Sequence, residues 1–485
     1  MSPKPDRTPL SSPRRAAFAA ALLLTLPWAA RAIEPDAPAA PAPQAKPADL
    51  PHGKLVENVP CQGHPDQTYA LYLPSNYQAG RKWPILYAFD ARRDGKLVSD
   101  RLQEGAERYG WIVASSYNSA SDGPSGPNLA ALQAMWADTH ARFSVDDRRV
   151  YLAGFSGTVR FAVNVALSAP GTVTGILGAC AGFPEGVKPQ KNNPFVFFGT
   201  TGERDFNYYE MMDLDATLAS LGVPHRIEVF EGSHEWPPAP LATRAIGWME
   251  LQAMKAGLRE KSPQLVDPLW DADLAQARAL ETAGDLLGAH HVYAAMAQDY
   301  AGLRSADDLA PVAGRISAIE ANAAYTKALR TWQERNRKDQ DFLVRAPHAF
   351  SQPVLSDAID ELKIYQYKRQ AESSDKQESL AAKRVLNTIL VQTSFYLPQM
   401  FTDRGEHDRA IFALSIAAEI RPESPEIWYQ LAAANARKGN KKKALELLRK
   451  AVDKGFNDKA RLAEEKAFDN LRQEKAYQEV AAKLG

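Results

Sequence analysis

Residues 150–166 read VYLAGFSGTVRFAVNVA. The run 150–155 is apolar and β-rich, while Val159, Ala162, Val163 and Ala166 recur at helical spacing. The change of period falls at Ser156, with Gly154 and Gly157 on either side. A serine at the tip of a sharp strand-to-helix turn needs small neighbours, because the backbone there is strained and crowded. The first amides of the following helix would point at any negative charge developing near the serine.

Outward from this turn, short β-rich runs alternate with helical stretches over about residues 65–260. Strands are expected at 67–73, 84–89, 111–116, 150–155, 173–179, 195–199 and 225–230, with helices at 127–143, 156–168, 207–221 and 239–258. Several strands are apolar on both faces, as in a covered parallel sheet. The alternation predicts an α/β doubly wound fold. After the 195–199 run comes GTTGERDFNYYEM (199–211), which offers Asp205; after the 225–230 run comes EGSHEWPP (231–238), which offers His234. The loop FDARRDG (89–95) follows the 84–89 strand.

This G-F-S-G turn, with an acid and then a histidine following it, resembles the nucleophile elbow and chain order of the α/β-hydrolase family. The likeness is to compact bacterial secreted esterases, feruloyl-esterase-like and polyester-depolymerase-like members included. It implies Ser156 as nucleophile, His234 as general base and Asp205 as the acid that orients it. Glu203, Asp213 and Asp215 are rivals for the acid. The oxyanion donors implied are the amides of Gly157 and Ala91, with Arg92 next to Ala91 as the alternative. One departure stands out. Thr158 occupies the last position of G-x-S-x-G, and a β-branched residue there is expected to crowd the elbow.

Near Ser262-Pro263 the β-rich runs end, and Ala, Leu, Glu, Lys and Arg dominate at helical spacing. Ala410, Leu414 and Ala417 recur 34 residues on as Ala444, Leu448 and Ala451, and Gly405 recurs as Gly439. That period, with Pro422 and Trp428 at boundary positions, resembles the tetratricopeptide repeat. The pattern is clearest over 391–458, and Gly284-Asp285 with Ala289 and Tyr293 looks like a degenerate earlier copy. The expected organisation is a signal peptide at 1–32, a Pro/Ala-rich linker at 33–50, the α/β-hydrolase domain at 51–262 and an all-α domain with tetratricopeptide-like repeats at 263–485.

The signal peptide rests on a basic start, the uncharged run 16–30 and Ala30-Arg31-Ala32. Fifteen apolar residues are too short for a membrane span, which needs about 20, so no transmembrane segment is expected in the mature chain. Export to the periplasm or medium is expected, by a general or a twin-arginine route. Over 485 residues, Lys+Arg 58 offsets Asp+Glu 58, which gives no whole-chain attraction to nucleic acid. Cys61 and Cys180 are too few for a disulfide framework or zinc site, and are expected as buried free thiols. The basic run around Arg437, Lys441 and Lys450 is expected to be a solvated helix face. Trp236 and Tyr208-Tyr209 could line a pocket or the core. No Walker loop, dinucleotide fingerprint or metal-ligand spacing is present, so neither cofactor nor metal is expected.

The expected activity is that of an exported serine hydrolase acting on a small-molecule or polymeric ester, with a protein partner at the repeats. A hydrolase-fold binding or scaffold protein acting through the repeats is the alternative, and a lid-like role for the helical region is a third.

Overall fold

The computed structural model describes residues 50–484. The expected signal peptide and the linker up to residue 49 lie outside the described residues. The chain divides into two compact units.

The first unit runs to Arg337 and takes in Ser373–Asn387. At its centre is one eight-stranded sheet: β1 (Leu55–Cys61), β2 (His64–Tyr72), β3 (Trp83–Phe89), β4 (Ile112–Ser116), β5 (Val145–Phe155), β6 (Gly175–Ala179), β7 (Val196–Gly202) and β8 (His225–Phe230). The order across the sheet is β1-β2-β4-β3-β5-β6-β7-β8. β2 runs antiparallel to β1 and β4, and all strands from β3 onward are parallel. Helices α1 (Gly95–Tyr109), α2 (Gly126–Arg142), α3 (Gly157–Ser168), α4 (Tyr208–Leu221) and α5 (Ala239–Lys255) cover the faces. Tyr87, Phe89, Val159, Val163, Phe197 and Met211 fill the core on one face; Val98, Leu102, Trp111, Phe198, Ala245 and Trp248 fill it on the other. Burial on both faces is why β3 and β6 carry no charged residue and β4 opens on the apolar run Ile112-Val113-Ala114.

All seven expected strands and four expected helices are present, with bounds shifted by a few residues. β1 and α1 are additions. β1 carries Glu57, Asn58 and Pro60, and its pairing with β2 is broken by register shifts, so it lacks the alternation that marks a strand. In α1, Asp94 caps the N-terminus by accepting from Leu97 N, and Gly110 ends the helix at φ 75°.

The expected boundary at 262/263 is not where the compact units part. α6 (Pro263–Thr282) and α7 (Leu286–Asp299) belong with the sheet. Val266 and Trp270 pack with Leu251 and Met254 of α5 in one core. The guanidinium of Arg226, on β8, donates to Asp273 at 2.9 and 3.1 Å, to Asp299 at 3.2 Å and to Glu228 at 2.6 Å. Trp248 Nε1 also donates to Asp299 at 2.7 Å, and Tyr300 to Asp273 at 3.0 Å. A buried cation needs such partners, and two of them lie beyond the boundary read from periodicity. The change of pattern at Ser262 marks where strands stop, not where the core stops.

α8 (Ala306–Glu320) and most of α9 (Ala323–Arg345) complete this unit. The short helices α10 (Leu355–Glu361) and α11 (Ile364–Ala371) lead to α12 (Lys376–Val391) and α13 (Leu397–Asp403). In the second unit α14 (His407–Ile420), α15 (Pro425–Arg437) and α16 (Lys441–Asp453) carry the 34-residue period. Ala410, Leu414, Ala417, Ala444, Leu448 and Ala451 are all buried, and Gly405 and Gly439 both turn the chain at positive φ, 71° and 88°. Equivalent positions thus have equivalent roles. The basic run is largely paired: Arg437 with Glu465 at 2.7 Å, Lys443 with Glu446 at 2.7 Å, Lys438 with Asp408, and Lys450 over the Trp428 ring. No helix among the described residues is long and apolar enough to cross a membrane.

Asp273→Asn, which weakens a buried ion cluster from one side, should cost the sheet-bearing unit about 3 kcal/mol. Chemical denaturation measures this, and a loss under about 0.5 kcal/mol, the size of an ordinary surface change, would remove the cluster from the supports of the fold.

Candidate active site

The parallel strands end together. Their registers pair Phe89 with Gly154, Phe155 with Ala179, Ala179 with Thr200 and Gly202 with Phe230. The loops after β3, β5, β6, β7 and β8 therefore open on one edge of the sheet, where α/β folds bind their ligands.

Ser156 stands between β5 and α3 at φ 56°, ψ −126°, a conformation that L-residues rarely adopt. Three contacts hold it. Its amide donates to Ala179 O at 2.8 Å across the end of β6. Gly154 lets the turn close, since a Cβ there would lie 2.6 Å from the carbonyl carbon of Thr158 and the amide nitrogen of Val159. Thr158 supplies the third. Its fully buried hydroxyl accepts from Phe155 N at 2.8 Å and lies 2.6 Å from Phe89 O and 2.9 Å from Phe155 O, to either of which it can donate. The expectation that Thr158 crowds the elbow is therefore corrected. Its branched side chain bridges the ends of β3 and β5 at a point where glycine would leave those groups without it.

His234 follows β8 and is partly buried; Asp205 follows β7 and is wholly buried. His234 Nδ1 and Asp205 Oδ1 are 2.8 Å apart. Asp205 also accepts from Asn207 N at 2.9 Å and from Thr201 Oγ1 at 3.2 Å, which fixes the plane of its carboxylate. The imidazole stacks on Phe206 at 4.0 Å between ring centres and lies 4.8 Å from the ring of Phe155, the residue before Ser156. Loops 29 residues apart thus place His234 and Asp205 together beside the elbow.

Two of the rival acids, Glu203 and Asp215, have partners elsewhere. Glu203 pairs with Arg204 at 3.0 Å. Asp215 lies 3.3 Å from His225 on β8, and Asp213 sits within α4, where its carbonyl accepts from Thr217.

Asp90, absent from the sequence reading, shapes the loop after β3. Its buried carboxylate accepts from Arg92 N at 2.6 Å, Asp94 N at 3.2 Å and Trp236 Nε1 at 2.8 Å. The Arg92 amide is thus committed to Asp90, which leaves Ala91 as the candidate of the two in this loop. Gly157 opens α3, where the first amides lack partners in their own helix. Ser121 lies over it, 2.7 Å from where a Cβ on Gly157 would be. Trp236, Tyr208 and Tyr209 are core residues, and Phe206 is the aromatic that meets the histidine. The signal for Asp90 was an acid at a strand end before A-R-R-D-G; that for Phe206 was only its place after Asp205.

Cys180, Asp205 and His234 bring metal-ligating atom types within 4.8 Å of one another. Burial and the neighbouring Asp205 carboxylate push the Cys180 thiol well above its ordinary range, and its Sγ lies 3.1 Å from Glu235 O. Within this trio His234 Nδ1 and Asp205 Oδ1 already engage each other. Cys61 is likewise free and buried.

The strand order, the antiparallel second strand and the serine elbow after β5 decide the architecture. This is the α/β-hydrolase fold. Residues 401–467 match the model of the tetratricopeptide repeat, so the α/β-hydrolase unit and a repeat segment share one chain. No curated protein matches the chain in sequence. Among solved structures it is similar to the Staphylococcus aureus fluorophosphonate-binding serine hydrolase F, at 14% identity and TM-score 0.33, covering 40% of this chain and 97% of that one. A ferulic acid esterase gives 17% identity, TM-score 0.31, and 38% and 92% coverage. The hyperthermophilic esterase of Pyrobaculum calidifontis gives 13% identity, TM-score 0.34, and 42% and 87% coverage.

Thr158→Val keeps the shape of the side chain but strands the Phe155 amide. It should lower stability by about 1–3 kcal/mol, measured by denaturant unfolding. An unchanged midpoint would mean that the hydroxyl does not hold the elbow.

Proposed function

We propose that this chain is a serine hydrolase acting on carboxylic esters through an acyl-enzyme, with Ser156, His234 and Asp205 as its triad. The observation that carries the reading is the 2.8 Å contact between His234 Nδ1 and the buried, three-fold-bonded Asp205, beside the Ser156 elbow. With Nδ1–H held by Asp205, Nε2 is the free base; it takes the Ser156 proton as Oγ attacks the ester carbonyl. Asp205 keeps that tautomer and stabilises the imidazolium. The amides of Gly157 and Ala91 receive the oxyanion. Collapse releases the alcohol, which takes the proton from His234, and water then repeats the sequence on the acyl-enzyme.

The reading as a fold without turnover drew on a disturbed elbow, and the bonds made by Thr158 remove that support. The repeat segment is proposed to bind a protein partner, because its helices present the stacked surface such repeats use. Residues 1–32 are proposed to direct export to the periplasm or medium, leaving Ile33 as the mature N-terminus. Mass spectrometry of protein from the periplasm or medium should find that terminus; intact Met1 on cytoplasmic protein would refute it.

A fluorophosphonate probe tests the triad without a choice of substrate. Labelling should occur on the full chain and vanish in Ser156→Ala. Asp205→Asn favours the wrong imidazole tautomer, and should lower kcat on a generic ester by roughly two to four powers of ten. Glu203→Gln should stay within about tenfold. Labelling that survives Ser156→Ala would remove the assignment.

A further inference from the structure

The loop that carries Asp205 is held by a helix 181 residues further along the chain. Residues 376–387 of α12 belong to the same compact unit as the sheet. Arg384 Nε donates to Glu203 O at 2.7 Å, and Asn387 Nδ2 donates to Arg204 O at 2.7 Å. These are the two carbonyls immediately before Asp205. The Arg384 guanidinium lies 3.6 Å from the centre of the Tyr208 ring, three residues after Asp205, and Lys376 Nζ is 3.8 Å from Glu203 Oε2. Arg384 and Asn387 are three residues apart, which puts both on one helix face.

The loop's amides are fixed from the other side. Glu203 N donates to Phe230 O at 2.8 Å, Arg204 N to Gly232 O at 3.0 Å and Asp205 N to Gly202 O at 3.1 Å. Those bonds tie the loop to β8 and to the segment leading to His234. α12 engages the carbonyls that face away from them, so the peptide planes at 203 and 204 are bonded on both edges. Arg384 is itself only 4% exposed. A buried guanidinium that donates to a backbone carbonyl and stacks on an aromatic ring has a defined position, and so does the carbonyl it bonds.

We propose that Arg384 and Asn387 are positioning residues that set the catalytic acid: they clamp the 203–208 loop and thereby hold Asp205 on His234. The proposal rests on the serine-hydrolase reading given above. It makes α12, which lies outside the 51–262 region that bears the sheet and triad, part of the catalytic apparatus without touching substrate. Displacing Asp205 by a fraction of an ångström would misalign the imidazole while leaving the substrate-contacting surfaces in place. The effect therefore belongs to kcat rather than KM.

The test uses the full chain and the variants Arg384→Ala, Arg384→Lys and Asn387→Ala. Asn387 is partly exposed, so its variant serves should Arg384→Ala fail to fold. Each folded alanine variant should lose roughly tenfold to a hundredfold in kcat on a generic ester, with KM within about threefold. Arg384→Lys should recover most of the loss. The far-downfield proton resonance of the His234–Asp205 hydrogen bond should weaken or broaden in the alanine variants, a signature that loss of stability alone would not produce. Unchanged kcat and an unchanged resonance in Asn387→Ala, and in Arg384→Ala where it folds, with the wild type labelled at Ser156, would overturn the clamp and leave the hydrolase intact. If the wild type does not label, the hydrolase reading falls. The resonance, which needs no turnover, then decides the clamp alone: retained in the alanine variants it is refuted, lost it stands as a positioning contact.

Discussion

A serine held at φ 56° costs on the order of 1–3 kcal/mol, and everything else at this site depends on that cost being met by its surroundings. The surroundings are specific. Ala179 O takes the Ser156 amide, Gly154 admits the following turn at contact distance, and Thr158 joins Phe155 to Phe89. Each buried hydrogen bond contributes only about 1 kcal/mol net, so it takes several, plus the packing of α3 on the sheet, to hold the turn. The strain has a purpose in the proposed chemistry. It lifts Oγ out of the strand and leaves the α3 amides pointing at the same space.

Once the elbow is fixed, the sheet does the assembling. Parallel strands in register end at one level, so loops far apart in sequence meet there without any one of them being long. His234 meets Asp205 because β8 pairs with β7, and both lie near the elbow because β6 bonds to β5 on one side and β7 on the other. Trp236, two residues after His234, donates to Asp90, which in turn orders the Ala91 loop. The His234 loop and the proposed oxyanion loop are therefore joined by one buried carboxylate.

The sheet-bearing unit draws on residues well beyond its last strand. Arg226 is buried on β8 with acids from α6 and α7 as partners, so these helices complete the electrostatics of the edge strand. α12 does the same for the acid loop at the level of single carbonyls. Helices that look like the start of a separate helical region are in this sense part of the hydrolase body, while the repeats at α14–α16 bury their own alanine and leucine seam.

The sequence by itself determined the alternation of strands and helices, the elbow at Ser156, the candidate acid and base, and the 34-residue period. Each of these is a local pattern: the period of apolar residues, or small residues around one turn, is imposed by the backbone of the element that contains it. Tertiary structure alone put Asp205, and not Glu203 or Asp215, within hydrogen-bond distance of His234, because that depends on which way a loop turns after β7 and on the partners Glu203 and Asp215 find elsewhere. It alone gave Asp90 its place, turned Thr158 from an expected obstruction into a bridge, and carried the compact unit past Ser262 to Arg226's partners and to α12. Those are contacts between residues tens to nearly two hundred positions apart. No local period records them, since the partners need only be near in space, and a single arginine or asparagine on a helix face looks the same in sequence whether it meets water or a carbonyl.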